Sequence, residues 1–280
     1  MEIIGSIEDM QNRSLALRAE GKKIGFVPTM GCLHEGHLSL IDLIKGQVDV
    51  CILSIFINPI QFGKNEDLNE YPKTIDEDIS LCRERGVGFV FMPKKEEIYG
   101  DDFSSKVMES ILSDRLCGKS RPTHFDGVTT VCVKLFNICQ PHCVALGQKD
   151  AQQVSVLKRV IKDLNFPIDI KVGPIIREKD GLAMSSRNTY LNPDERKDAL
   201  LLNQSNELAT RLVTSGIIDV KIILKEICEL LTRVGSIKID YVEIVNKHTL
   251  EAESIVVSEQ SMLMLAVWVN EVRLIDNKVL

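Results

Sequence analysis

The sequence predicts an α/β fold: a domain built on a parallel sheet over residues 1–177, then a smaller α+β domain over 178–280. Two observations carry this. Short apolar runs alternate with helical stretches through the first two-thirds of the chain, which is the pattern of βαβ units. Beyond Asp180-Gly181 the order changes to helices followed by short strands. Length agrees, since 280 residues at about 100–200 per domain make one large domain or two.

The expected elements follow in chain order. Ile24-Gly25-Phe26-Val27 reads as a strand closed by Pro28, and Asp49 to Phe56 as a second run rich in β-branched residues. Gly88 to Phe91, ended by Pro93, is a third strand, Val144 to Leu146 a fourth and Ile168 to Val172 a fifth. Helices are expected between them over Gly36–Lys45, Ile75–Arg85, Gly127–Cys139 and Asp150–Asp163. In the second part, Asn192-Pro193-Asp194-Glu195 has a capping amide, Pro at the first helical position and Glu at the third. Helical stretches reach about Val213 and run from about Val220 to Leu231. Antiparallel strands are then expected at Ile239–Val245, Ser254–Val257, Met262–Val269 and Val272–Ile275.

Hydrophobic residues at 44% and charged residues at 26% leave material for a sizeable core and argue against global disorder. The net charge of -6 lacks the basic footprint that nucleic-acid or membrane-surface binding needs. The longest apolar stretch, Met262 to Val269, is too short to span a bilayer. The N-terminus has neither the basic n-region nor the apolar h-region of a signal peptide. Eight scattered cysteines, several inside apolar runs, fit reduced thiols in a cytoplasmic protein better than a disulfide framework. Cys139-Gln140-Pro141-His142-Cys143 could suggest zinc, but no second ligand pair accompanies it, so no protein metal site is expected.

In parallel sheets ligands sit beyond the carboxyl ends of the strands. The first strand runs into Pro28-Thr29-Met30-Gly31-Cys32-Leu33-His34-Glu35-Gly36-His37. Gly31 and Gly36 have the separation of a phosphate-binding P-loop, but His37 and Leu38 replace its Lys and Ser/Thr. The two histidines are too close for a zincin, and no complete dinucleotide fingerprint exists. What remains is His34-x-Gly36-His37 at a helix start. Free N–H groups and the helix dipole favour phosphate there, Gly36 admits a flat ligand, and the imidazoles can donate to phosphate oxygens. The bland alternative is a pair of surface histidines on an ordinary helix, although two of only five histidines fall in this one turn.

Asn58-Pro59-Ile60-Gln61 follows the second strand, where Gln61 can donate and accept; the alternative is a polar turn fixed by Pro59. Gly147-Gln148-Lys149-Asp150 follows the fourth strand. Lys149 offers a point charge for phosphate, and Asp150 can accept from a ribose hydroxyl or simply cap the helix. Met184-Ser185-Ser186-Arg187 offers two hydroxyls and a guanidinium to phosphates, or is a Ser-rich linker.

Together these blocks resemble the pantothenate synthetase (pantoate–β-alanine ligase) family of HxGH nucleotidylyltransferases. The likeness runs in order through the first βα turn and Phe56 to Phe62. It continues through Arg121-Pro122-x-His124-Phe125-Asp126-Gly127-Val128, Gly147 to Gln153, and Arg177 to Asn188. It implies a Rossmann-like nucleotidylyltransferase domain with a C-terminal α+β lid. The implied activity is ATP-dependent condensation of pantoate with β-alanine through a pantoyl adenylate, giving pantothenate, AMP and pyrophosphate in coenzyme A biosynthesis. ATP contacts are implied at Met30, Gly31, Cys32, Leu33, His34, Glu35, Gly36, His37, Gly147, Gln148, Lys149, Asp150 and Ile176, and at Met184, Ser185, Ser186 and Arg187. His34, His37 and Lys149 are the implied catalytic groups. Asn58, Gln61, Arg121 and Gln153 are implied for pantoate, and Gln61 also for β-alanine. Mg²⁺ and a homodimeric state are implied as well.

The chain has Gln148 where the family often has Glu, Ala151 for an aromatic, and Thr123 where Gly is usual. Alternatives are another adenylyl- or cytidylyltransferase, a non-catalytic nucleotide-binding protein, and an RNA binder, the last disfavoured by the acidic balance. Pantoate-dependent pyrophosphate exchange discriminates among them.

Overall fold

The computed structural model describes residues 1–64 and 66–280. The strands are β1 (Glu2–Ile4), β2 (Ile24–Thr29), β3 (Val50–Ile55), β4 (Phe89–Phe91), β5 (Cys143–Gly147), β6 (Asp169–Gly173), β7 (Ile237–Asn246), β8 (Ser261–Val269) and β9 (Val272–Val279). The helices are α1 (Ile7–Ala19), α2 (Glu35–Lys45), α3 (Ile75–Glu84), α4 (Lys95–Ile98), α5 (Cys117–Ser120), α6 (His124–Cys139), α7 (Ala151–Asp163), α8 (Pro193–Thr214) and α9 (Val220–Leu231).

One compact unit comprises Met1–Asp114, Arg121–Gln148 and Gln153–Pro174. Its sheet is parallel, in the order β1-β4-β3-β2-β5-β6. From β2 the chain moves to β3 and β4 on one side, then returns to place β5 and β6 on the other. The order therefore reverses between β2 and β5, and a crevice at the carboxyl ends of those strands is where such sheets take ligands. The loop after β2 and the end of β5 both open there.

Alternation along β2 builds the two faces. Val27 joins Leu38, Ile41, Ile44, Leu53 and Val90 in one core. Phe26, on the opposite face, meets Phe136 of α6 edge-on with ring centroids 6.5 Å apart. Both faces of the strand are therefore buried, which is why it reads as a continuous apolar run. Pro28 does not close the strand: β2 continues through Thr29, because the pairing with β3 holds to Thr29↔Ile55.

The sequence reading misses β1 and α1. Three residues of an edge strand carry no period, and in α1 only Met10 and Ser14 are buried, so no apolar stripe marks the helix. Ser6 nevertheless caps α1 by accepting from the Asp9 N–H at 3.1 Å. Helix α6 begins at His124, ahead of the expected Gly127.

The other unit comprises Arg115–Ser120, Lys149–Gln152 and Ile175–Leu280. Its antiparallel sheet has the order β7-β8-β9. Leu263, Leu265 and Val267 of β8 pack with Leu202, Ile223 and Ile227 of α8 and α9. The expected cap of α8 is present in full: Asn192 Oδ1 accepts from Asp194 and Glu195 N–H, and Glu195 Oε2 accepts from the Asn192 N–H. The expected strand at Ser254–Val257 is absent as such; Ile255 makes a single bridge to Asp219 and is exposed. The short segment 115–120 is tied into this unit by Gln152, whose Oε1 accepts from the Cys117 N–H at 2.9 Å. Asp240 adds a bond from the Ser120 hydroxyl.

Candidate active site

The turn after β2 is shaped from within. Gly31 has φ +83°, a left-handed value that favours glycine, and Cys32 follows at +50°. The amides of Cys32 and Leu33 donate to the two carboxylate oxygens of Asp78 at 2.9 and 2.8 Å. Thr74 donates to the same carboxylate at 3.0 Å. Asp78 is 1% exposed, so a buried carboxylate on α3 holds the turn open by its backbone. The sequence reading missed it; the only signal is an acidic first turn of α3, which resembles ordinary helix-end chemistry.

His34 is the N-cap of α2. Its Nδ1 accepts from the Gly36 N–H at 3.1 Å, and His37 Nδ1 accepts from the His34 N–H at 3.4 Å. The two rings stack at 4.1 Å between centroids. An imidazole whose Nδ1 accepts carries its proton on Nε2, so both rings are set as Nε2–H donors. This corrects one expectation. The Gly36 N–H is taken by His34 Nδ1 and the His37 N–H by the His34 carbonyl, so these two amides at the helix start are paired within the turn rather than free. The Glu35 carboxylate is turned to Arg85, which reaches both its oxygens at 2.9 Å.

Asn58, Gln61 and Arg121 are brought together in one hydrogen-bonded chain. Tyr99 OH donates to Asn58 Oδ1 at 2.7 Å, and burial pushes this phenol's pKa up. Asn58 Nδ2 donates to Gln61 Oε1 and to the Gly127 carbonyl, both at 3.0 Å. With Oε1 so oriented, Gln61 Nε2 donates to the Met30 thioether, a weak acceptor. The Gln61 carbonyl lies 2.8 Å from His124 Nδ1 and can only accept, so that nitrogen carries the proton and His124 Nε2 accepts from Arg121 Nη1 at 3.1 Å.

Arg121 also donates through Nε and Nη2 to the two Glu66 oxygens at 2.7 and 2.6 Å. Burial raises the Glu66 pKa, but the Arg121 hydrogen bonds and charge outweigh it and hold the carboxyl below its ordinary value. Gly127 is required for this assembly, since a Cβ there would lie 2.5 Å from Gln61 Cα. Thr123 sits at φ +70°, the left-handed region where glycine is favoured, so it carries strain at the N-cap of α6. Tyr99, Glu66 and His124 are members that sequence reasoning did not assign; His124 alone stood inside a noted block.

In the C-terminal unit, Lys149 lies in a 3-10 turn at Gln148–Asp150, its Nζ 3.5 Å from Asp150 Oδ1. Ile176 and Met184 are joined by a bond from the Met184 N–H to the Ile176 carbonyl at 2.9 Å, and Arg177 bridges to Ala183. The loop is thus a closed hairpin presenting Ser185, Ser186 and Arg187 at its exit. Ser185 Oγ accepts from the Arg187 N–H at 3.3 Å. Gln153 lies half-buried in the first turn of α7, in the N-terminal unit.

His142, from the possible zinc cluster, has a structural partner: its Nδ1 accepts from the Ile24 N–H at 3.0 Å. Among the described residues no group of three or more His, Cys, Asp or Glu is arranged to hold a metal. Nor is any described helix long and apolar enough to cross a membrane.

The family model for pantoate-beta-alanine ligase matches residues 2–279. The chain is similar to the pantothenate synthetase of Caldicellulosiruptor bescii, at 49% identity over 277 residues covering 99% of this chain and 98% of that one. It is 49% identical to that of Thermotoga petrophila over the full length of both. Among solved structures, pantothenate synthetase from Thermus thermophilus superposes with TM-score 0.94 at 38% identity, covering 99% of each chain. The Francisella tularensis pantoate-beta-alanine ligase complexed with beta-gamma ATP and beta-alanine has TM-score 0.82 at 33% identity, covering 100% of this chain and 97% of that one.

Proposed function

The chain belongs to the pantoate–β-alanine ligase family and makes the amide bond of pantothenate from pantoate and β-alanine, and on that premise we propose how its residues divide the work. A carboxylate resists attack by an amine because oxide is its leaving group. Adenylylation exchanges that leaving group for AMP. The pantoate carboxylate attacks the α-phosphorus of ATP and pyrophosphate departs. The β-alanine amine then attacks the acyl carbon, AMP departs with the electron pair, and the amine proton is lost to solvent.

The observation that carries this reading is the pair of Nδ1-accepting imidazoles, His34 and His37, at the start of α2. Their Nε2–H groups donate to phosphate oxygens as charge shifts toward pyrophosphate. Met30 to Glu35 and Gly36 line the nucleotide, with Gly147, Gln148, Asp150 and Ile176. Lys149 and the Met184–Arg187 turn follow the phosphates. Gln61 receives pantoate: its Nε2 exchanges the weak Met30 thioether for a carboxylate or hydroxyl oxygen at little loss. Asn58, Arg121 and Gln153 complete the pantoate contacts, Arg121 with its charge balanced by Glu66. The same amide of Gln61 serves β-alanine in the second step.

Mg²⁺ would accompany the triphosphate, as is usual for ATP, and would supply charge neutralisation there; no step is assigned to it. A cytoplasmic homodimer is read from the family resemblance, and sedimentation of the purified protein tests the dimer.

The decisive experiment is exchange of labelled pyrophosphate into ATP. It is expected with ATP and pantoate and without β-alanine; exchange that appears only when β-alanine is added overturns the two-step order. His37→Ala and Lys149→Ala are each expected to fold and to lose about 10²–10³ in exchange rate, the usual loss for one preorganised donor. A loss below about threefold would remove that residue from the reacting set.

A further inference from the structure

The last strand carries two polar residues in the wrong place for a stable sheet. Asp276 and Asn277 of β9 are each 2% exposed, opposite Leu265 and Met264 of β8. Burying a charge and an amide there is unfavourable unless each is fully partnered, and apolar residues of similar volume are often as stable or more so. Their partners give the reason. The Asn277 amide nitrogen donates to the Lys149 carbonyl at 3.0 Å. Asp276 receives Arg177 as a fork, Nη1 to Oδ2 at 2.7 Å and Nη2 to Oδ1 at 3.0 Å, and its Oδ1 also accepts from the Asn277 N–H. Arg177 passes the constraint on: its Nη1 donates to the Gly181 carbonyl, and its backbone bridges to Ala183. Asn188 then ties the exit of the same hairpin, donating to the Ala183 carbonyl at 3.0 Å and to Glu178 at 2.7 Å.

Two turns far apart in sequence, the one bearing Lys149 and the one bearing Ser185 to Arg187, are therefore anchored on neighbouring residues of one strand. A bidentate guanidinium–carboxylate pair fixes orientation as well as distance, which a single charge contact does not. We propose that Asp276 and Asn277 are positioning residues for adenylylation, setting the Lys149 turn and the Ser185–Arg187 turn in register for the triphosphate. The inference rests on the reading of Lys149 and that loop as phosphate contacts. It assigns the polar pair no contact with substrate. Its effect falls on the exchange rate and on ATP, and pantoate affinity is left unchanged.

The test is a double-mutant cycle in pyrophosphate exchange. Asn277→Ala is expected to lower kcat/KM for ATP by roughly 10- to 100-fold, since misplacement of about 1 Å can cost about 10² in rate. In a Lys149→Ala background the same change is expected to cost less than about twofold, because the group it positions is gone. Pantoate affinity, measured by titration, is expected to hold within about twofold. Arg177→Lys keeps the charge and removes the fork, at a residue partly open to solvent, and is expected to lose about tenfold. This variant carries the test if Asn277→Ala does not fold. If Lys149→Ala is itself silent, the phosphate reading fails. If Lys149→Ala is impaired while Asn277→Ala is neutral or fully additive with it, or Arg177→Lys exchanges at the normal rate, the positioning role is overturned.

Discussion

On the proposed reading Gln61 is set for pantoate by bonds that leave its side-chain donor on a poor acceptor. Asn58 holds Oε1 and Met30 receives Nε2. Gln61→Ala is expected to weaken pantoate binding by about 1–3 kcal/mol, because the substrate group it served is left unpaired. That is roughly one to two decades in Kd, at about 1.4 kcal/mol per decade. Binding of ATP alone is expected to change little. Titration of each ligand separately checks this, and equal weakening of both would make Gln61 a support of the fold instead. Gly127→Ala offers an independent route to the same turn. Its Cβ would lie 2.5 Å from Gln61 Cα, so the turn must move, and pantoate affinity is expected to fall although no substrate contact is deleted.

At the scale of elements, the start of β2 is clasped by His142, the residue just before β5. The His142 ring accepts from the Ile24 N–H, and the His142 N–H donates to the Ile24 carbonyl at 2.8 Å. Burial, with the charges of Arg18 and Lys23 nearby, lowers the His142 pKa below its ordinary 6.5. The ring is therefore neutral in the folded protein at a pH where the unfolded chain already takes up a proton. Stability from this group is fully present above pH 6.5 and is lost as pH falls from there through the lowered folded value. Protonation also replaces the acceptor with a donor and strands the Ile24 amide, a loss of about 1 kcal/mol or more. Denaturant unfolding of the wild type is expected to weaken between neutral and mildly acid pH. His142→Asn, whose carbonyl can accept without titrating, is expected to show a shallower decline. Parallel declines would place the pH dependence elsewhere.

Across the whole molecule the thiols report how much of the chain is closed to solvent. Burial pushes Cys51, Cys82 and Cys132 up to about 12, and Cys139 is raised as well. A thiol must ionise to react, so these four are expected to resist alkylation at neutral pH in the folded protein and to label fully in denaturant. Mass spectrometry of the labelled peptides checks it. Rapid labelling of Cys132 or Cys139 under native conditions would mean that α6 opens locally. None of the four serves the proposed chemistry, which needs no covalent enzyme intermediate.

Much of the architecture is local information and was legible in one dimension. Strand and helix alternation announces a parallel sheet, and the Asn192 to Glu195 box starts α8 where its spacing says. His34, Gly36 and His37 fall at the β2–α2 turn because a glycine-bearing turn between an apolar strand and an amphipathic helix is encoded within about a dozen residues. Tertiary structure alone decided the rest. The reversal between β2 and β5 depends on which strands pair, and no periodicity states that. Asp78 reaches the amides of Cys32 and Leu33, Glu66 reaches Arg121, and Asn277 reaches the Lys149 carbonyl. Each is a polar residue whose partner is distant in sequence, so its composition and neighbours look like those of any helix end, loop or edge. Folding makes them specific by removing water, after which a buried carboxylate or amide must find a definite partner, and the partner it finds shapes the site.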